Sequence, residues 1–174
     1  MAASAPNDAE SASDPRLLPL SSSLANAVTS SNTLSNIWSA VEICILHSIE
    51  AEATEIHIDL DIARCSFSIK DNGRGISPAD MHTLGTSHHT RGNISAVCAS
   101  SILHISSRPA TSFETFSSIL QAGRVIQQPR LAKEQRTRSG TVLSVCDLFF
   151  NRPVIRKKLL ASTTATPVIA RLVL

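Results

Sequence analysis

The chain has 174 residues, 43% of them hydrophobic and 17% charged, the balance of one ordinary globular domain and too little for two well-packed ones. One Trp, five Phe and no Tyr exclude an aromatic platform for stacking bases, and no apolar run approaches the roughly 18 residues that would span a bilayer. The net charge of +2 is unevenly spread: residues 1–119 hold six Lys/Arg against twelve Asp/Glu and residues 120–174 hold ten against two, which points the back half toward an anionic partner.

Residues 1–15 are Ala, Ser, Pro and acid, a composition expected to be disordered. They carry neither a basic nor an apolar leader region, so the expectation is a cytosolic or nuclear protein, with the nucleus favoured. Arg16-Leu17-Leu18-Pro19-Leu20 is the first segment with something to bury. Ile37–Ile49 then places Val41, Cys44, Ile45 and Ile49 at helical spacing and is apolar almost all round, predicting a largely buried helix. Ile56, Ile58 and Leu60 alternate with His57, Asp59 and Asp61, and Cys65, Phe67 and Ile69 with Ser66, Ser68 and Lys70; these predict two antiparallel strands joined by a short turn.

Asp71-Asn72-Gly73-Arg74-Gly75-Ile76 follows the second strand, and Ser77-Pro78-Ala79-Asp80 carries the signals of a helix start: an N-cap Ser, a first-position Pro and an acid three residues on. A glycine loop thus leaves a strand and enters a short helix ending near Leu84-Gly85. Strands are expected around Leu103–Ile105, over Phe113–Leu120 and over Thr141–Val145, with a turn at Gly123 and a polar, basic loop over Gln127–Ser139. Residues 161–174 read as an irregular tail.

Cys44, Cys65, Cys98 and Cys146 form no CxxC pair, which favours reduced, mostly buried thiols over a zinc site or a disulfide framework. His82, His88 and His89, even with Cys98, fit no standard ligand spacing, so no metal site is expected. Arg156-Lys157-Lys158 with Arg152 reads equally as a phosphate contact, an import signal or a solvated helix face.

The order Ser48-Ile49-Glu50-Ala51-x-Ala53-Thr54 at a helix end, two strands, Asp71-x-Gly73-x-Gly75-Ile76, Gly140-Thr141-Val142 and Asp147-Leu148-Phe149-Phe150-Asn151-x-Pro153-Val154-x-Arg156-Lys157 resembles the N-terminal ATPase module of MutL-type mismatch-repair proteins over residues 16–160. It looks most like the third eukaryotic, meiotic homologue in its fungal form. The resemblance implies a two-layer α+β sandwich of GHKL type, a mixed sheet with helices on one face, holding ATP with Mg²⁺ between the Ile37–Ile49 helix and the Asp71–Gly75 loop. Asp71 would accept a hydrogen bond from the adenine amine, with Gly73 and Gly75 allowing close approach of the backbone. Thr141 would hold a bridging water or the purine ring, and Ile76 and Thr90 complete the expected nucleotide contacts. Taken without its companions, Asp71–Gly75 is ordinary tight-turn chemistry.

The departures from that pattern bear on activity. Where the resemblance implies a water-activating Glu the chain has Ile43, which cannot take a proton, and the adjacent Glu42 points about 100° away round the helix. Where it implies an Asn ligand for Mg²⁺ the chain has His47, a nitrogen donor for a cation that prefers oxygen. Only Arg91-Gly92-Asn93 separates Thr90 from Ile94–Arg108, where the resembled proteins carry a long glycine-rich lid that cradles phosphates at a helix N-terminus.

The sequence therefore predicts a mismatch-repair or meiotic-recombination module that binds ATP, hydrolyses it weakly or not at all, and dimerises with another MutL homologue. A second domain with a phosphate-binding lysine and a C-terminal dimerisation and endonuclease domain are not expected within this length. DNA is the expected partner of Arg124, Arg130, Lys133, Arg136, Arg138, Arg152, Arg156, Lys157 and Lys158. The alternatives are a non-catalytic module that binds a MutL partner or DNA, and an incomplete product without a stable fold.

Overall fold

Asn36 opens the first helix. Its backbone is extended, and its Oδ1 accepts the Ser39 N–H at 2.9 Å, satisfying one of the donors a helix start leaves free. The computed structural model describes residues 34–85, 94–161 and 168–174; the expectations for residues 1–33, including the disordered start, lie outside them. Helix α1 (Ile37–Glu50) buries Ile37, Ala40, Val41, Ile43, Cys44 and Ser48. Its opposite side shows Trp38, Leu46 and Ile49 to solvent, so the helix is less buried than its apolar composition implies.

Strands β1 (Glu55–Asp61) and β2 (Ser66–Asp71) pair antiparallel, Asp61 opposite Ser66 at the turn and Ile56 opposite Asp71 at the far end. Ser77 caps the short helix α2 (Pro78–Thr83) as its sequence requires, accepting the Asp80 N–H at 3.2 Å and donating to the Asp80 carboxylate at 2.7 Å. A helix the sequence did not announce, α3 (Ile94–Ser100), precedes β3 (Ile102–Arg108). The next strand is β4 (Phe116–Gln121), and Ala122 and Gly123, both at positive φ, turn it into β5 (Arg124–Leu131). The basic loop expected at Gln127–Ser139 thus begins as a strand, its side chains alternating between exposed and partly buried on the rim of the sheet. Strand β6 (Gly140–Cys146) and helix α4 (Pro153–Ala161) follow. The tail read as irregular contains β7 (Val168–Val173), which pairs with β1 and is held by the Leu174 N–H on the Thr54 carbonyl at 3.0 Å.

The sheet runs β5-β4-β3-β6-β2-β1-β7. Every pairing is antiparallel, so the sheet is not mixed as expected. One face packs Ile56, Leu60, Phe67, Ile69, Leu103, Ile105, Leu120, Leu143 and Val145 against α1, α2 and α3 in a continuous core, with Ile155 and Leu159 of α4 against its margin. Each such side chain contributes roughly 1.5–3 kcal/mol on burial. Strand alternation carries the inward rows on to Asp71, Ser107 and Thr141, where three neighbouring strands replace apolar by polar side chains that are all buried.

Candidate functional site

That polar end of the inner face is the candidate site. Asp71 is 3% exposed. Its Oδ1 accepts the N–H groups of Gly73 at 2.9 Å and Thr141 at 3.0 Å, two charge-assisted bonds that fix the carboxylate across β2 and β6. Its Oδ2 lies 3.3 Å from the Ser48 hydroxyl, which is also 3.2 Å from the Cys44 carbonyl. One hydroxyl hydrogen cannot fully serve both acceptors, so Oδ2 keeps capacity to accept another bond.

Behind the carboxylate, the Ser107 hydroxyl accepts the Ile76 N–H at 2.8 Å and stands 2.9 Å from the Thr141 hydroxyl and 3.1 Å from the Gly140 carbonyl. Asn72 ties the end of β2 to the start of β1, taking the Thr54 and Glu55 N–H groups at 2.9 and 3.0 Å and donating to the Thr54 hydroxyl at 2.9 Å. The glycines serve the protein's own packing. A Cβ on Gly73 would stand 2.6 Å from the Ala51 carbonyl oxygen, and Gly75, at φ +75°, lies against the carbonyl of Arg108. In both cases the space beside the glycine is already filled by backbone.

On α1, Ile43 is buried in the core and Glu42 is exposed, in keeping with a side chain turned away from the site. His47 lies near Asp71, Glu50 and Arg74; burial pushes its imidazole below the usual histidine range, with the Asp71 charge opposing that shift. Both of its ring nitrogens are out of solvent and lack a hydrogen-bond partner among the described residues. A buried polar group left so costs about 1–3 kcal/mol.

The structure thus brings Asp71, Gly73, Gly75, Ile76 and Thr141 together, with His47 close by. Thr90, Arg91, Gly92, Asn93, His88 and His89 lie outside the described residues. Sequence reasoning missed Ser107 and the part Ser48 plays. The available signal was a polar residue on the inward step of an alternation that begins Leu103, Ile105.

The basic residues do not form one patch. Arg124, Arg130, Lys133 and Arg138 are exposed on β5 and the loop after it, as are Lys157 and Lys158 on α4. Arg152 donates to the Leu34 carbonyl at 2.7 Å, and Arg156 pairs with Asp147 at 3.0 Å. Arg136 holds the Asp71 carbonyl at 2.8 Å. Cys44, Cys65 and Cys98 are buried free thiols and Cys146 is partly exposed; burial pushes Cys98 up to about 12 and Cys44 further still.

No family model matches the chain. Among solved structures, it covers 67% of its length at 28% identity and TM-score 0.57 on the Aquifex aeolicus MutL ATPase domain complexed with ADP. A DNA-repair protein's N-terminal domain (24% identity, 79% of this chain, TM-score 0.69) and the Thermus thermophilus gyrase B ATPase domain (19%, 75%, TM-score 0.52) share the fold. This chain covers 44%, 43% and 44% of those three chains respectively. The fold is that of the GHKL ATPase domains.

The sequence is similar, at modest identity, to MutL-family mismatch-repair proteins. It is 32% identical to MutL of Buchnera aphidicola over 82% of this chain, 28% to PMS1 of Arabidopsis thaliana over 84%, and 27% to human Mlh3 over 71%. It spans 26%, 18% and 10% of those proteins. Relatives of three branches lie within a few per cent of one another, so identity does not single out the third homologue.

Proposed function

We propose that this chain is the ATP-binding module of a MutL-type DNA mismatch-repair protein, occupying residues 16–160, that holds the adenine end of a nucleotide through Asp71 and does not turn it over. The observation that carries this reading is the Asp71 carboxylate: buried, fixed by two backbone amides, and with one oxygen still able to accept from an exocyclic amine. Its place in a fold shared with an ADP-bound MutL domain supports the same reading.

The residues present do not fit Mg²⁺. The α1 positions that the resemblance assigns to the water-activating and metal-binding groups hold Ile43 and His47, an apolar side chain and an imidazole, where the ion demands an octahedron of oxygens. Nor does any carboxylate at Ile43 stand ready to activate water. In this proposal the module acts by occupancy, as an arm that pairs with another MutL homologue in the nucleus, in mismatch repair or meiotic recombination. The names of the relatives support mismatch repair; the third-homologue branch rests on the Glu50-Ala51-x-Ala53-Thr54 motif and the likeness to Mlh3.

Calorimetric titration with ADP tests the reading. Binding is expected to be the same in Mg²⁺ and in EDTA, and to weaken about tenfold or more in Asp71→Asn, which replaces the charged acceptor. Absence of binding in both buffers overturns the nucleotide site, and Mg²⁺-dependent ATP turnover that survives Glu42→Ala overturns the account of α1.

A further inference from the structure

The two edges of the sheet are built differently. At the β5 edge Arg124 and Arg130 stand exposed, Pro129 removes a main-chain donor, the pairing with β4 slips in register, and α2 packs alongside. These are devices by which a folded chain keeps an open edge from recruiting another strand. The β7 edge has neither the proline nor the slip. Val168–Val173 pairs with β1 residue by residue, and among the described residues nothing pairs with its other side.

What β7 offers on that side follows from its pairing with β1. The Leu174 N–H bonds the Thr54 carbonyl at 3.0 Å, so Ala170 and Leu172, in step with Leu174, also turn their main chain toward β1. Ile169, Arg171 and Val173 turn theirs outward, each with an N–H and a C=O to be satisfied. Their side chains share the face opposite the helices with Asp59, His57 and Glu55, and there Ile169 is 81% and Val173 68% exposed. Leu172, on the helix-bearing face beside Ile56, is exposed as well. Arg171 brings the one charge of the strand, and Glu55 of the same sheet answers it at 2.6 Å.

We propose that β7 is a self-association edge, on which a second copy of this chain lays its own β7 antiparallel and makes the two seven-stranded sheets continuous. A second copy fits because a two-fold axis matches each outward donor to an outward acceptor of the same pattern. The assembly also closes, since the only edges it leaves among the described strands are the two guarded β5 strands. Charge and size set the register. An axis at Arg171 would put two guanidinium groups directly opposite each other, which is unfavourable, and an axis at Ala170 would centre the seam on its smallest side chain. An axis at Leu172 pairs Leu172 with Leu172 of the second copy and Arg171 with its Val173, two hydrogen bonds to each Arg171–Val173 pair. It also brings Arg171 into one row with Glu55 of the second copy, two strand spacings or about 10 Å away, so that the charges on the outer face are complementary. So short a seam covers less than the roughly 800 Å² per partner of a standard stable interface, which makes the dimer weak and concentration-dependent, with a Kd in the micromolar range or above. The pairing uses none of the Asp71 site and does not rest on the nucleotide reading.

Sedimentation velocity of the whole chain, from about 5 to 500 μM, is expected to show monomer passing into dimer and stopping there, alike with and without ADP. Val173→Lys sets a cation opposite Arg171 of the second copy, and Val173→Pro removes an N–H that faces away from β1. Each is expected to weaken the dimer about tenfold or more, while Ile126→Lys on the β5 edge changes it less than about twofold. The lysine arm stands even if Val173→Pro loosens β7. In a Cys146→Ser background, mild oxidation is expected to link Leu172→Cys into a disulfide dimer and to leave Ala170→Cys unlinked, because opposed residues on the axis stand about 4.5 Å apart at Cα. Monomer throughout the range overturns the proposal, as does a dimer that forms only with ADP, growth beyond the dimer, or a dimer untouched by both Val173 variants. Equal weakening by Ile126→Lys overturns the assignment to β7, and linkage at Ala170→Cys in place of Leu172→Cys overturns the register.

Discussion

His47 concentrates the energetic conflict of the site. Burial holds its imidazole below the ordinary histidine range, because it disfavours the imidazolium more than the Asp71 charge favours it. In the unfolded chain the group titrates at its ordinary value of 6.5. Between that value and the lower folded one the unfolded state binds the extra proton, so folding stability is present above pH 6.5 and is lost as the pH falls below it. Thermal melts from pH 8 to pH 5 are expected to show that acid loss, and His47→Leu to reduce it while raising stability at pH 8 by about 1–3 kcal/mol. A variant with the wild-type pH slope would show that the imidazole is solvated. The sequence made Asp71 legible because acid-x-glycine-x-glycine chemistry is local. Ser107 and Arg136 were not legible as parts of the same site, because 36 and 65 positions separate them from Asp71; strand register brings Ser107 there, and a side-chain hydrogen bond from the loop after β5 brings Arg136.

At the scale of elements, the Asp71–Ile76 segment is stiff because both its glycines are pressed against backbone. Gly75→Ala is expected to cost about 1–3 kcal/mol from its positive φ alone, and more from the contact with the Arg108 carbonyl. Urea denaturation measures the loss, and a change under about 0.5 kcal/mol would contradict the close approach of the Gly75 loop to the end of β3. The β1–β2 hairpin and the capped start of α2 were readable from alternation and from Ser77-Pro78. Helix α3 was not, because all seven of its residues are buried and so show no polar face with a period to detect. Strand β5 was read as a loop for the opposite reason: it lies at the sheet edge and keeps its polar side chains in water. Strand β7, at the other edge, leaves Ile169 and Val173 exposed, so nothing in its sequence marks an inner face.

For the molecule as a whole, the core is one continuous cluster crossed by Cys44 and Cys98, both fully buried, with Cys146 nearer the surface. Thiol labelling at pH 8 is expected to reach Cys146 first, and Cys44 and Cys98 only as fast as the protein unfolds globally. Labelling of Cys44 and Cys98 at two different rates, or of either faster than global unfolding, would show that the core does not open as a single unit. The uneven charge of the sequence also resolves at this scale. Among the described residues, the acidic front contains the one carboxylate that three strands bury, and the basic back divides into cations that brace the fold, cations that stand in water, and Arg136 on the Asp71 main chain.

The exposed flank of α1 has a practical consequence. Trp38 is the sole tryptophan in a chain without tyrosine, and it stands 58% exposed on the helix that also carries His47. The ultraviolet emission of the chain is therefore the report of a single indole in water, and anything that covers that flank of α1 announces itself as a shift to the blue, without a label being attached.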